Sequence, residues 1–175
     1  AALAGLGIWS ALLTVSGREI PAMDGSAGVF AEALAPLREP GLEVAPIVVA
    51  REIAFGGPRG GYMGVIPSEG FEIACSISYD PSAIGAQVYE GSVSGDVFAG
   101  EIAPARTFVL ESEIDGIRKR GLGLGGSAEN VLVIGDGDPP SPSKYRVPSE
   151  PVRHKVLDLI GDLATLGRPL KGRVI

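Results

Sequence analysis

One helix-length stretch holds residues that could do chemistry together. His154, the single histidine of the chain, is followed at four-residue spacing by Asp158 and Asp162. In a helix, positions i, i+4 and i+8 fall within about 80° of arc, so an imidazole and two carboxylates share one face. Imidazole nitrogen and carboxylate oxygen are both zinc donors, and a helix offering ligands at i and i+4 is one way to hold a catalytic metal. The same pattern also describes a solvated polar stripe. A metal needs a further protein ligand, no second histidine exists, and Cys75 is the only thiol. The residues by themselves leave both readings open. A nucleophilic triad built on His154 lacks a G-x-S-x-G elbow.

The element that must position these groups runs from Ser149 to Gly167. Ser149 is expected to cap it, Glu150 to place an anion in the first turn, and Pro151 to be tolerated there. Gly167 and Pro169 supply the stop. Val152, Val156, Leu157, Ile160, Leu163 and Leu166 make the opposite, core-facing arc.

Around this helix the chain reads as α+β. Ala1 to Leu6 is a short helix, Ile8 to Val15 a strand, and Arg18 to Ile20 its partner. Asp24 or Ser26 caps a helix to about Leu37. Four runs of strand character follow, at 46–55, 60–67, 71–79 and 83–93, with turn residues between them as in an antiparallel meander. Ser94 starts a short helix through Ile102. Arg106 to Leu110 is extended, Ser112 to Arg120 helical, and Asn130 to Ile134 a strand. A proline-rich loop from Gly135 to Pro148 leads into the 149–167 helix, and a last strand starts near the end. The expected architecture is two-layer α/β sandwich units: residues 1–42 as the end of a first domain, 43–175 as most of a second, with a small βαβ insert at about 109–136.

Other motifs have plainer explanations. Gly121 to Gly126 matches G-x-G-x-x-G, but it follows a helix and precedes a strand, the reverse of a dinucleotide fingerprint. It reads as a turn that admits close backbone approach. Arg118-Lys119-Arg120 puts cations in a last helical turn, where the helix dipole favours them. Asp24-Gly25-Ser26 reads as a capping turn.

The 175 residues are 45% hydrophobic and 21% charged, enough for a packed core, and the net charge of −6 argues against a general nucleic-acid binder. A lone cysteine excludes an internal disulfide. No apolar run is long enough to span a bilayer, and Ala1 to Ile8 lacks the basic region of a signal peptide. The small-residue start and the β-prone LKGRVI end both read as cut from something longer.

Four blocks, in order, give the chain a resemblance. VRHKVLDLIGDL (152–163) resembles the zinc-binding helix of the UDP-3-O-acyl-N-acetylglucosamine deacetylase (LpxC) family. AALAGLGI with REIPAMDGSAGVFAEAL is similar to the end of that family's first domain. Ala105 to Phe108, ARTF, resembles its strand entering the active site. Gly121 to Ile134 resembles the turn and strand of its hydrophobic insert.

The resemblance implies roles for these residues. His154 and Asp158 match two of three ligands to Zn²⁺. Thr107 matches a threonine that donates to the oxyanion, and Asp162 a carboxylate paired with a catalytic histidine. Phe108 and Lys155 match sugar and diphosphate contacts. Leu110, Ile114 and Val131 fall where the family lines its acyl-chain passage. The substrate implied is UDP-3-O-acyl-N-acetylglucosamine, deacetylated in lipid A synthesis in the cytoplasm of a Gram-negative bacterium. The intact enzyme is expected to be a monomer with at most peripheral membrane contact. The family's Glu-His pair, holding the general base and third ligand, aligns before Ala1, and its general-acid histidine beyond Ile175. Trp9-Ser10 stands where an Asp-Asn-like pair is usual. The expectation is an inactive internal piece of the enzyme; the alternative is a non-catalytic α+β binding module derived from it.

Overall fold

A computed structural model describes residues 1–17, 20–39, 44–57, 61–79, 84–135 and 145–175. The fold is α+β, and its largest element is a six-stranded mixed sheet. Strands β1 (Ile47–Val48), β2 (Ile53–Gly56), β3 (Tyr62–Ile66), β4 (Phe71–Tyr79), β5 (Gly85–Ser92) and β8 (Leu170–Val174) build it in the order β2-β3-β8-β4-β5. The expected meander survives only as two antiparallel hairpin pairs, β2 with β3 and β4 with β5. β8 separates them, parallel to β4 and antiparallel to β3. The run expected as one strand over 46–55 divides: β1 lies parallel to the start of β8, and β2 pairs with β3. Local patterning marks strands but not partners, and β8 comes from nearly 100 residues after β4.

β5 alternates between a covered and an exposed face, as a sheet with one packed side should. The covered side receives α5 (Glu150–Ala164), and α1 (Ala2–Gly5) packs against α5. Val152, Val156, Leu157 and Ile160 of α5 pack with Ile73 and Tyr89 of the sheet and with Phe98 and Ile102. Leu6, Ala27 and Ala31 join the same cluster. Phe98 and Ile102 belong to a π-helical segment, Phe98–Ile102, which continues the short α3 (Gly95–Val97). Ser94 caps α3 as expected, its Oγ accepting the Val97 N–H at 3.2 Å.

Three local expectations are corrected. Ile8 to Val15 forms no strand among the described residues, and Leu12 is 94% exposed; apolar composition without a ladder partner does not make a strand. Ser149 does not cap α5: it is left-handed at φ 49°, ψ 46°, and its side chain makes no capping bond. Leu166 lies beyond the helix end and is half exposed, so it leaves the core arc. Helix α2 (Gly28–Leu34) starts two residues after Ser26, whose Oγ accepts the Gly28 N–H at 3.0 Å, and it passes into a 3₁₀ turn at Ala35–Leu37.

The insert is as its periodicity predicts, βαβ. β6 (Phe108–Leu110) runs parallel to β7 (Leu132–Ile134), with a 3₁₀ turn and α4 (Ile114–Lys119) between them. Arg18, Glu19, the boundary at 42/43 and residues 136–144 of the proline-rich loop lie outside the described residues.

Candidate active site

α5 delivers His154 and Asp158 to one end of the molecule, but not as a uniform stripe. His154 is buried at 8% exposure, whereas the Asp158 side chain is 44% exposed and Asp162 is exposed. The His154 ring is fixed by the segment leading into β6. Its Nδ1 lies 3.0 Å from the Ala105 carbonyl oxygen. A carbonyl can only accept, so Nδ1 donates here and Nε2 is the ring nitrogen on the Asp158 side. Nε2 stands 3.4 Å from Asp158 Oδ1. That is beyond the usual range of a good N–H···O bond.

The other carboxylate oxygen is occupied. Lys155 Nζ donates to Asp158 Oδ2 at 2.9 Å, and the same ammonium sits 5.4 Å from the centre of the Phe108 ring. Tyr79 meets that ring edge-on at 5.6 Å. Lys155, Phe108 and Asp158 therefore form one contact chain.

Thr107 is pinned through its backbone on both sides. Its N–H donates to the Gly25 carbonyl at 2.8 Å, and its carbonyl accepts from the Leu132 N–H at 2.8 Å. Gly25 has φ 76°, and a Cβ there would stand 1.7 Å from the Asn130 carbonyl oxygen. Only glycine allows this approach. The turn read as a helix cap thus also joins the first part of the chain to the insert.

Two clefts meet at Thr107. One, of about 910 Å³, is lined by Thr107, His154 and Leu157 together with apolar residues such as Leu13, Val15, Ile20 and Phe30. The other, of about 400 Å³, lies in the insert between β6 and α4; Val109, Ile114, Ile117, Val131 and Val133 line it together with Thr107 and Phe108, and Glu113, Arg118 and Ser127 add polar groups. Gly123 and Gly126 border it. Gly121 and Gly123 have φ 68° and 64°, so the glycine run is a left-handed turn shaping a wall, with α4 before it and β7 after. Ile114 and Val131 face this groove. Leu110 packs instead with Ile84, Leu132 and Ile134, because alternate residues of a strand point to opposite faces.

Sequence reasoning missed the charged residues behind the site. Glu150, expected only as a first-turn anion, is fully buried and forms an ion pair with Arg106, Nε to Oε1 at 2.9 Å. Burial pushes the Glu150 carboxyl up, but hydrogen bonds from the Arg106 side chain and from the Arg106 and Arg146 amides outweigh it and hold it below its ordinary value. The hydrogen bond to Glu150 raises the Arg106 guanidinium in turn. The signal available in sequence was an arginine two residues before Phe108 and a glutamate four before His154, which only the fold brings together.

The described residues offer a metal two donors. His154 Nε2 and Asp158 Oδ1 are 3.4 Å apart, close to the edge of about 3.3 Å that two ligands span on a tetrahedral zinc with bonds near 2.0 Å. The Nδ1 bond to Ala105 is the outer-shell bond usual for a ligating histidine. The pair fits a metal. No group of three or more His, Cys, Asp or Glu that could hold one is found among the described residues.

A buried imidazole beside a carboxylate, a pinned threonine and an adjoining, mainly apolar groove thus lie together in one region. The whole chain, residues 1–175, matches the family model described as LpxC: UDP-3-O-acyl N-acetylglycosamine deacetylase. The chain belongs to the LpxC family. Among its curated relatives is the UDP-3-O-acyl-N-acetylglucosamine deacetylase of Phenylobacterium zucineum, 41% identical over 99% of this chain and 59% of that protein. Those of Syntrophotalea carbinolica and Chlamydia muridarum are each 38% identical, with 57% and 62% of their lengths covered. The chain thus spans less than two thirds of these relatives. No helix among the described residues is long and apolar enough to cross a membrane.

Proposed function

We propose that this chain forms the zinc-holding and acyl-binding part of a deacetylase that removes the N-acetyl group of UDP-3-O-acyl-N-acetylglucosamine in lipid A synthesis. The observation that carries the reading is the His154–Asp158 pair one turn apart on α5, whose 3.4 Å separation suits an ion pair and is also close to that of two zinc ligands. Family membership over all 175 residues supports the substrate.

The chemistry breaks an amide: the oxygen of a water bonds to the carbonyl carbon, the C–N bond breaks, and the leaving nitrogen takes up a proton as an amine. Zn²⁺ held by His154 and Asp158 would supply Lewis acidity at that carbonyl and lower the pKa of the water. Ala105 holds the His154 ring with Nε2 on the Asp158 side. Thr107 presents its hydroxyl to the oxygen that gains negative charge; a donor fixed beforehand costs no reorganisation as that charge develops. Lys155 and Phe108 meet the sugar and diphosphate. The groove of Ile114 and Val131 takes the acyl chain, and Leu110 supports it from the far side of β6. Asp162 holds an imidazole from the remainder of the enzyme.

The single histidine cannot be both zinc ligand and proton donor. On this reading the 175-residue chain alone does not turn over, and the intact enzyme is a two-domain cytoplasmic monomer. The test is zinc content and deacetylation in the protein carrying its flanking sequence. His154→Ala and Asp158→Ala should each strip zinc and activity together. Full zinc occupancy and turnover in His154→Ala would falsify the reading.

A further inference from the structure

Glu150 is a charged group in a fully buried position. Its carboxylate is wholly buried at the start of α5 and accepts four hydrogen bonds. Oε1 takes the Arg106 amide N–H at 2.8 Å and Nε at 2.9 Å; Oε2 takes Arg106 Nη2 at 3.2 Å and the Arg146 amide N–H at 2.8 Å. Desolvation offsets the attraction within a buried ion pair, so such pairs are weak evidence for stability. Stability is therefore a weak reason for this pair.

Geometry is a better one. Arg106 lies between the two residues that matter most to the cleft. On one side the Ala105 carbonyl accepts from His154 Nδ1; on the other Thr107 is bonded to Gly25. Asp24, next to Gly25, accepts from the Arg146 side chain, and the Arg146 amide returns to Glu150. The bonds close a circuit through the Asp24 turn, the strand entry, the 145–148 segment and α5. Ser149, immediately before Glu150, holds a left-handed backbone that is unfavourable for a non-glycine residue. Two amide donors and a planar guanidinium fork define direction in a way apolar packing does not.

We infer that Glu150 is a positioning residue: it sets the Ala105–Thr107 backbone against α5, and so aims the His154 imidazole through the Ala105 carbonyl and holds the Thr107 hydroxyl in the cleft. The inference rests on the reading of this cleft as the deacetylation site. Glu150 itself touches no reacting atom.

The experiment compares Glu150→Gln, Thr107→Val and the double variant in the protein carrying its flanking sequence, well below each variant's unfolding temperature. Zinc affinity is measured by competition with a chelator, and kcat and KM separately. Glu150→Gln should weaken zinc about tenfold, as outer-shell losses do. It should lower kcat about tenfold or more with KM within about twofold, since misplacement acts on the transition state. Its kcat loss should add little on top of Thr107→Val. Unchanged zinc affinity and kcat in folded Glu150→Gln, with only a lower unfolding temperature, overturns the inference and leaves a structural brace. If Glu150→Gln does not fold, Arg106→Lys replaces it. That variant keeps both amide bonds and the charge but loses the fork, and should weaken zinc about threefold; wild-type zinc affinity there overturns the inference. A neutral Thr107→Val alone counts against the threonine's role in the proposed chemistry, while the zinc arm still decides on Glu150.

Discussion

The two clefts that meet at Thr107 are built by different physics. Around His154 the backbone and side chains are fixed by directional bonds: a carbonyl on Nδ1, a pinned threonine and a buried four-bond carboxylate. Around the insert groove the walls are mainly apolar side chains on a three-residue strand pair and a six-residue helix, with Glu113, Arg118 and Ser127 among them. There the side-chain hydrogen bonds join residues close in sequence, such as Asn130 Oδ1 accepting the Ser127 N–H, Asn130 Nδ2 donating to the Gly125 carbonyl and Arg120 Nε donating to the Gly116 carbonyl. Nearby Leu124 is 83% exposed. Chemistry needs atoms held to fractions of an ångström, which hydrogen bonds supply. An apolar chain needs only a dry surface of suitable width, because burial is non-directional. A one-methylene change should therefore be tolerated in the groove and a one-atom change should not be tolerated at the reaction centre.

The sharpest break of that contrast is Thr107→Val, which keeps shape and removes one donor. On the proposed function, kcat of the deacetylase should fall by about a hundredfold with KM little altered. A loss under threefold would show that the directional end is not directional in function. Next comes Gly25→Ala. With φ at 76° and the Asn130 oxygen 1.7 Å from the new Cβ, the turn must move, and unfolding by urea should show a loss of about 2 kcal/mol or more. An unaffected midpoint would mean that the turn and the insert are not tied there.

Ile114→Val probes the other cleft by a single methylene. About 0.8 kcal/mol of lost burial corresponds to about a fourfold rise in KM for the acylated substrate, with kcat unchanged. A large fall in kcat instead would place the groove among the positioning elements.

The smallest effect is a slope. The Glu150 carboxyl lies below its ordinary value of 4.5 in the folded chain. Between the folded and unfolded values the unfolded chain binds more protons, so this group adds stability above about pH 4.5 and loses it as pH falls through the folded value. Thermal unfolding of Glu150→Gln across that acid range should show a shallower decline than wild type. Parallel curves would remove the ion pair from the acid sensitivity.

Much of this was legible beforehand because it is local. The helix carrying His154 announces itself by period and by its glycine stop, and observed α5 falls within the expected span. The insert was equally readable, since a helical period between two short extended runs has few other solutions. The glycine run excluded a nucleotide loop from element order alone. Ile8 to Val15 misled because an apolar run resembles a strand until a partner is sought. Ser149 misled because a residue favoured at helix starts occupies a left-handed turn instead.

The sequence alone determined the α+β class, the family and the His154–Asp158 spacing, since composition, period and motif are properties of neighbours along the chain. Only tertiary structure decided that His154 is buried while Asp158 and Asp162 are exposed, that Leu110 faces away from the groove, and that β8 parts the meander. It alone brought Glu150 beneath Arg106. Strand order, side-chain partners and desolvation join residues tens of positions apart, and no local pattern encodes which distant residue will arrive.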